Sequence, residues 1–127
     1  MYNNTIVSTR TDRNTLLRLS TNDETCDFRN NILYVSAAGN TLSMLDQTGT
    51  LNLSHNWFKP GRVSTFGTLD GVINDDGTSI TGAAPGFVDE GGQDFPLAAG
   101  SAAINTGTTL HSSVLPGNNV AMQYVKH

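Results

Sequence analysis

The side chains able to carry chemistry are few and widely spaced. His55, His111 and His127 lie outside any metal-ligand spacing. The chain has no GxSxG elbow, no phosphate-binding glycine loop and no HExxH helix. Asn74-Asp75-Asp76-Gly77 looks like part of a calcium loop, but the EF-hand series would put Val72 at its first position and Ala83 at its twelfth. Neither side chain offers an oxygen, so this stretch reads as an exposed turn. No cofactor is expected for this chain. Cys26 is the single cysteine, which excludes a disulfide framework and a CxxC metal pattern; it reads as a small buried apolar residue.

Charge and composition narrow the partners. Of 127 residues 37% are hydrophobic and only 14% charged, with a net charge of -4. Lys and Arg never occur in runs, so there is no basic stripe to neutralise phosphates and no nucleic-acid partner is expected. Apolar runs reach only four or five residues, too short for a membrane span. Met1-Tyr2-Asn3-Asn4-Thr5 lacks the basic and apolar regions of a signal peptide. Abundant Thr, Asn, Gly and Ser favour short strands and tight turns around a thin core.

Any site must therefore be positioned by strands, and an internal repeat says how. Asn3-Asn4-Thr5-Ile6, Asn30-Asn31-Ile32-Leu33 and His55-Asn56-Trp57-Phe58 share one pattern, with Asn4, Asn31 and Asn56 spaced by 27 and 25 residues. A 25-residue offset lays Leu17 on Leu42, Leu19 on Met44, Cys26 on Leu51, Phe28 on Leu53, Ile32 on Trp57 and Leu33 on Phe58. Chance would match only about a third of such positions in a chain of this composition. Apolar residues alternate within each unit, the mark of strands with one buried face. One unit is too small to bury that face alone, whereas units stacked at the strand spacing of about 4.8 Å make a continuous core. The expected fold is all-β: a parallel β-helix, or solenoid, over residues 1–58, then a Gly/Thr/Asp-rich loop or irregular coil over 59–84. A compact β-sandwich is the competing fold, and antiparallel neighbours would mark it.

The asparagines gain a role in this frame. Asn accepts the left-handed backbone of a sharp corner, and amides recurring in successive coils can hydrogen-bond as a ladder. Asn4, Asn31 and Asn56 are assigned to that ladder. Asn3, Asn30 and His55, one position earlier, are expected to turn outward.

The Asn-Asn-Thr-Ile-Val and Asn-Asn-Ile-Leu runs resemble those of bacterial right-handed parallel β-helix proteins, the pectate-lyase-like superfamily. Pro85-Gly86-Phe87-Val88-Asp89, Asp94-Phe95-Pro96-Leu97 and Gly100-Ser101-Ala102-Ala103-Ile104-Asn105-Thr106-Gly107 are similar to a tail of secreted bacterial β-helix proteins bearing a choice-of-anchor module. Ala102 stands where that tail has Pro, and Asn105 where Asp is commoner. The resemblance implies that residues 85–127 form a covering tail anchored by Phe87, Phe95, Leu97 and Ile104. It also implies an extracellular or cell-surface location. Such tails continue to a further strand, whereas this chain stops at Gln123-Tyr124-Val125-Lys126-His127. A C-terminal piece of a longer protein is therefore expected.

The family's lyases use a Lys or Arg base, often with calcium held by Asp, and its hydrolases use paired Asp residues. The outward charges here, Arg18, Asp27, Arg29 and Asp46, stack no carboxylates at one position, since the offset places Asn52 after Asp27 and Ser54 after Arg29. They read as solvated surface charges. Trp57 and Phe58 fall on apolar positions, which favours the core over sugar stacking. The expected function is non-catalytic, within a protein that binds or degrades polysaccharide. A structural or adhesive solenoid is the alternative.

Overall fold

Strands β1 (Thr5–Ser8), β2 (Asn14–Leu17) and β3 (Thr25–Arg29) form the first coil of a computed structural model that describes residues 1–108. The second coil holds β4 (Ile32–Val35), β5 (Leu42–Leu45) and β6 (Thr50–Ser54). Strands β7 (Trp57–Phe58) and β8 (Val72–Asp75) form the third, and β9 (Ile80–Thr81) begins another. Strands stack across coils in three sheets, β1-β4-β7-β9, β2-β5 and β3-β6-β8, and every pair in them is parallel. The fold is an all-β solenoid of about three turns, with no helix among the described residues. A sandwich would need antiparallel neighbours in these sheets.

Alternation decides which residues face inward. Cys26, Leu51 and Ile73 form one inward row across β3-β6-β8. Phe28 and Leu53 lead a second, and Leu33 lies opposite Phe58 in the neighbouring sheet. The Phe28 and Phe58 rings stack with centroids 6.2 Å apart. Met44, Leu42 and Leu45 close the core from the third side.

The register of β2 on β5 corrects the single-offset expectation. Leu17 lies opposite Leu45 rather than Leu42, which faces Asn14, and Leu19 bridges Thr48 rather than Met44. The cause is turn length. Seven residues, 18–24, join β2 to β3, but only four, 46–49, join β5 to β6. The spacing is thus 28 residues between Thr15 and Ser43 but 25 between Asn31 and Asn56. Arg18 accordingly pairs with Asp46 at 3.3 Å and has no relation to Ser43.

Residues 59–84 wind as a coil, with β8 on β6, β9 on β7 and Val63 bridged to Ser43. The repeat fades there because the spacing contracts to 22 residues between Asn52 and Asn74. Lys59 is buried and donates from Nζ to the Ala37 carbonyl and to Thr41 Oγ1 at 3.2 Å, which fixes the turn before β5.

The tail covers a side of the solenoid. Strands β10 (Phe87–Asp89) and β11 (Asp94–Leu97) form an antiparallel hairpin. Its Phe87 meets Tyr34 edge-on at 5.9 Å and Phe95 at 5.1 Å. A second small core of Tyr34, Trp57 and Ala103, flanked by Val7, Ile32, Ile80, Phe87 and Leu97, lies beneath it on the outward side of β1-β4-β7-β9. Ala103 is buried while Ile104 is 38% exposed, so the expected Ile104 anchor is replaced by its smaller neighbour. The 101–106 turn points one residue inward, and that is Ala103. His111 and the stretch 109–127 lie outside the described residues.

Candidate functional site

The corner between β3 and β4, and again between β6 and β7, is two residues long in both coils. Its first residue takes the left-handed backbone: Asn3 at φ 57°, Asn30 at 58° and His55 at 52°. The left-handed residues are therefore those one position before the ladder, not the ladder asparagines themselves. Asn31 and Asn56 point inward and are 1% exposed. Asn4 Nδ2 donates to Asn31 Oδ1 at 2.9 Å, and Asn31 Nδ2 to Asn56 Oδ1 at 3.2 Å. Each receiving oxygen also accepts the backbone N–H of the coil before it, at 2.9 Å. Asn56 Nδ2 donates to the Phe28 carbonyl at 2.8 Å, and Ser79 Oγ ends the series by accepting Asn56 N–H at 3.1 Å. These amides satisfy buried backbone at a point no strand ladder reaches. Their role is architectural.

Beside this corner, the outward face of β3-β6-β8 carries polar rows. Asp27 lies opposite Asn52 and Asn52 opposite Asn74, while Arg29 lies opposite Ser54. Asn74 Nδ2 donates to Asn52 Oδ1 at 2.9 Å. Asp27 Oδ2 accepts the Tyr2 hydroxyl at 2.9 Å and sits 3.6 Å from Arg29 Nη2. The Asp27 carboxylate, by accepting that hydrogen bond, holds the Tyr2 phenol above its ordinary value. Arg29 Nε is buried and has no partner among the described residues. Asp27, Arg29, Asn52, Ser54, Asn74, Asp75 and Asp76 line a shallow cleft of about 430 Å³.

Asp76 closes one end of the cleft. Its Oδ1 accepts Thr78 Oγ1 at 2.5 Å and Thr78 N–H at 3.0 Å. The Thr78 hydroxyl, then its N–H and the Ser54 hydroxyl, lower the Asp76 carboxyl from 3.8 to about 2. Ser54 Oγ lies 2.7 Å from His55 Nδ1, a distance that invites a nucleophile-and-base reading. Among the described residues no carboxylate bonds the imidazole: Asp76 accepts from Thr78 and Ser54 and not from the ring. Thr78 Oγ1 also accepts His55 N–H at 2.8 Å, so this group clamps the second corner to the third. Asp27 is followed in its row by Asn52 and Asn74, so no carboxylates stack at that position of the sheet.

Trp57 and Phe58 are buried on opposite faces at 2% and 0% exposure, so neither offers a sugar-stacking ring. The repeat pairs Asp27 with Asn52 but misses Asn74 and Asp76, because the third coil is shorter. Among the described residues no three His, Cys, Asp or Glu side chains converge as a metal site, and no helix is long and apolar enough to cross a membrane. Comparison with family models, curated proteins and solved structures returned no match.

Proposed function

We propose that this chain is a non-catalytic, polysaccharide-binding β-solenoid segment of a secreted or surface protein, and that the outward face of β3-β6-β8 holds the glycan. The observation that carries the reading is the set of outward rows of amide, hydroxyl and carboxylate groups that flank the part-exposed Arg29 guanidinium. A sugar chain offers hydroxyls that donate and accept alike, and a parallel sheet presents matching groups at a repeat of about 4.8 Å between strands. The Asn-Asn runs, similar to those of pectate-lyase-like proteins, and the 85–107 tail, similar to that of secreted β-helix proteins bearing a choice-of-anchor module, support the same assignment.

The test is binding of the full chain to immobilised neutral and uronate glycans, alongside an Asn52→Ala/Asn74→Ala variant. Binding should occur without chain cleavage, and the variant should lose roughly tenfold in affinity, worth about 1.4 kcal/mol. Failure to bind any glycan, or unchanged binding by the variant, refutes the assignment. Release of 4,5-unsaturated products would refute the non-catalytic part.

A further inference from the structure

The cleft's own charge points to the kind of glycan it accepts. Its lining includes the carboxylates of Asp27, Asp75 and Asp76 but the single guanidinium of Arg29. Asp27 already spends part of that guanidinium's charge at 3.6 Å, and its other contact is an uncharged phenol. Asp75 is held by Arg62 at 3.2 Å, so including Arg62 still leaves an excess of one negative charge. Asp76 stays ionised throughout the neutral range, because its carboxyl titrates at about 2. Nothing in the cleft would compensate a second row of carboxylates brought by a ligand, and the chain as a whole is at -4.

The open hydrogen-bonding groups have the opposite preference. Asn52 spends its Oδ1 on Asn74, which leaves the Asn52 amide as a donor and the Asn74 carbonyl as an acceptor. Arg29, whose side chain is part-exposed, offers guanidinium N–H donors and no acceptor. Beyond the bonds they take from Tyr2 and Thr78, the carboxylates of Asp27 and Asp76 can only accept, and a uronate carboxylate has no donor to give. A hydroxyl satisfies all of these.

We infer that the face of β3-β6-β8 selects uncharged glycans over uronate-containing ones, with Asp27 and Asp76 accepting sugar hydroxyls and the part-exposed Arg29 guanidinium donating to a hydroxyl or ring oxygen. This rests on the glycan-binding reading above and adds the ligand's charge class.

Matched ligands separate the two ideas. The full chain is titrated with an oligogalacturonate and with the same oligosaccharide after reduction of its carboxyls to primary alcohols, both in EDTA so that no divalent ion bridges carboxylates. The reduced form should bind at least tenfold more tightly at low salt. Raising the ionic strength from about 0.01 M to 1 M, which shortens the screening length from roughly 30 Å to 3 Å, should narrow the gap from the uronate side while leaving the reduced ligand's affinity nearly fixed. An Asp27→Asn/Asp76→Asn variant should bind the uronate more tightly than the native chain does. Equal or tighter binding of the uronate by the native chain overturns the inference and leaves the glycan-binding reading standing. If neither these ligands nor neutral glucan and xylan oligosaccharides bind, the reading beneath it falls as well.

Discussion

A single hydroxyl governs the behaviour of the most perturbed carboxylate in the protein. Asp76 is lowered to about 2 chiefly because Thr78 Oγ1 donates to it. Such a group favours the folded state fully above its unfolded value, near 3.8, and that contribution disappears as the pH falls through about 2. Thr78→Val keeps the shape of the side chain and removes the donor. Carboxyl resonances followed through an acid titration should then show Asp76 moving up toward 3.8, with the Thr78 N–H and the Ser54 hydroxyl still holding it down. Stability between pH 4 and pH 2 should also become less steep in the variant than in the native chain. Native Asp76 titrating near 3.8 would mean that the hydroxyl points elsewhere. The Asp76–Thr78 bond is local, two residues apart, but Ser54 joins it only when two coils are stacked, so that part of the pairing is not readable from the sequence. The ladder is different: Asn4, Asn31 and Asn56 recur beside identical two-residue corners, so their type and spacing expose them.

Strands of this solenoid are short, and turn length sets how they stack. Where the connection is constant, as at the β3–β4 and β6–β7 corners, one offset brings Phe28 over Leu53 and Ile32 over Trp57. Where it varies, as on either side of β2 and β5, the same offset misplaces Leu17 and Leu19, because apolar alternation is equally well satisfied by a slip of a few residues. Between the second and third coils, backbone contact adds to the side-chain pattern. Gly71 passes so close over Gly49 that a Cβ on Gly71 would run into the Gly49 carbonyl. Val72 N–H donates to that same carbonyl at 2.9 Å, where the chain enters β8. Gly71→Ala should therefore push the third coil away from the second and cost about 1–3 kcal/mol, the range for overpacking a closed site. Gly77→Ala serves as a contrast, since it has open space but a φ of 77° and should lose stability through backbone strain alone. Urea unfolding of both variants is the measurement. A Gly71→Ala protein as stable as the native chain would show that the two coils have room to separate at this point.

A solenoid core is continuous along its axis, so something must stop it where stacking stops. The row that begins with Phe28 and Leu53 reaches Asp75 in the third coil, a charged residue at an inward position. Asp75 is paired with Arg62, whose guanidinium lies 4.5 Å from the centre of the Phe58 ring and donates to Thr81 Oγ1. Together they face a hollow of about 530 Å³ floored by Met44, Leu53, Val63 and Ile73. The charge pair keeps water and polar groups at a rim that would otherwise present bare apolar side chains and strand edges, the arrangement that invites another chain to stack. The partners are 13 residues apart in a stretch without a repeat, and so the sequence gives no hint of them. Asp75→Leu continues the apolar row and removes the guard in one change. The variant should associate as its concentration rises, by light scattering, under conditions where the native chain and an Asp75→Asn control do not. The control separates lost pairing from gained apolar surface: association of both variants would assign the effect to the broken ion pair. A monomeric Asp75→Leu protein would show that the rim is protected by something other than this charge.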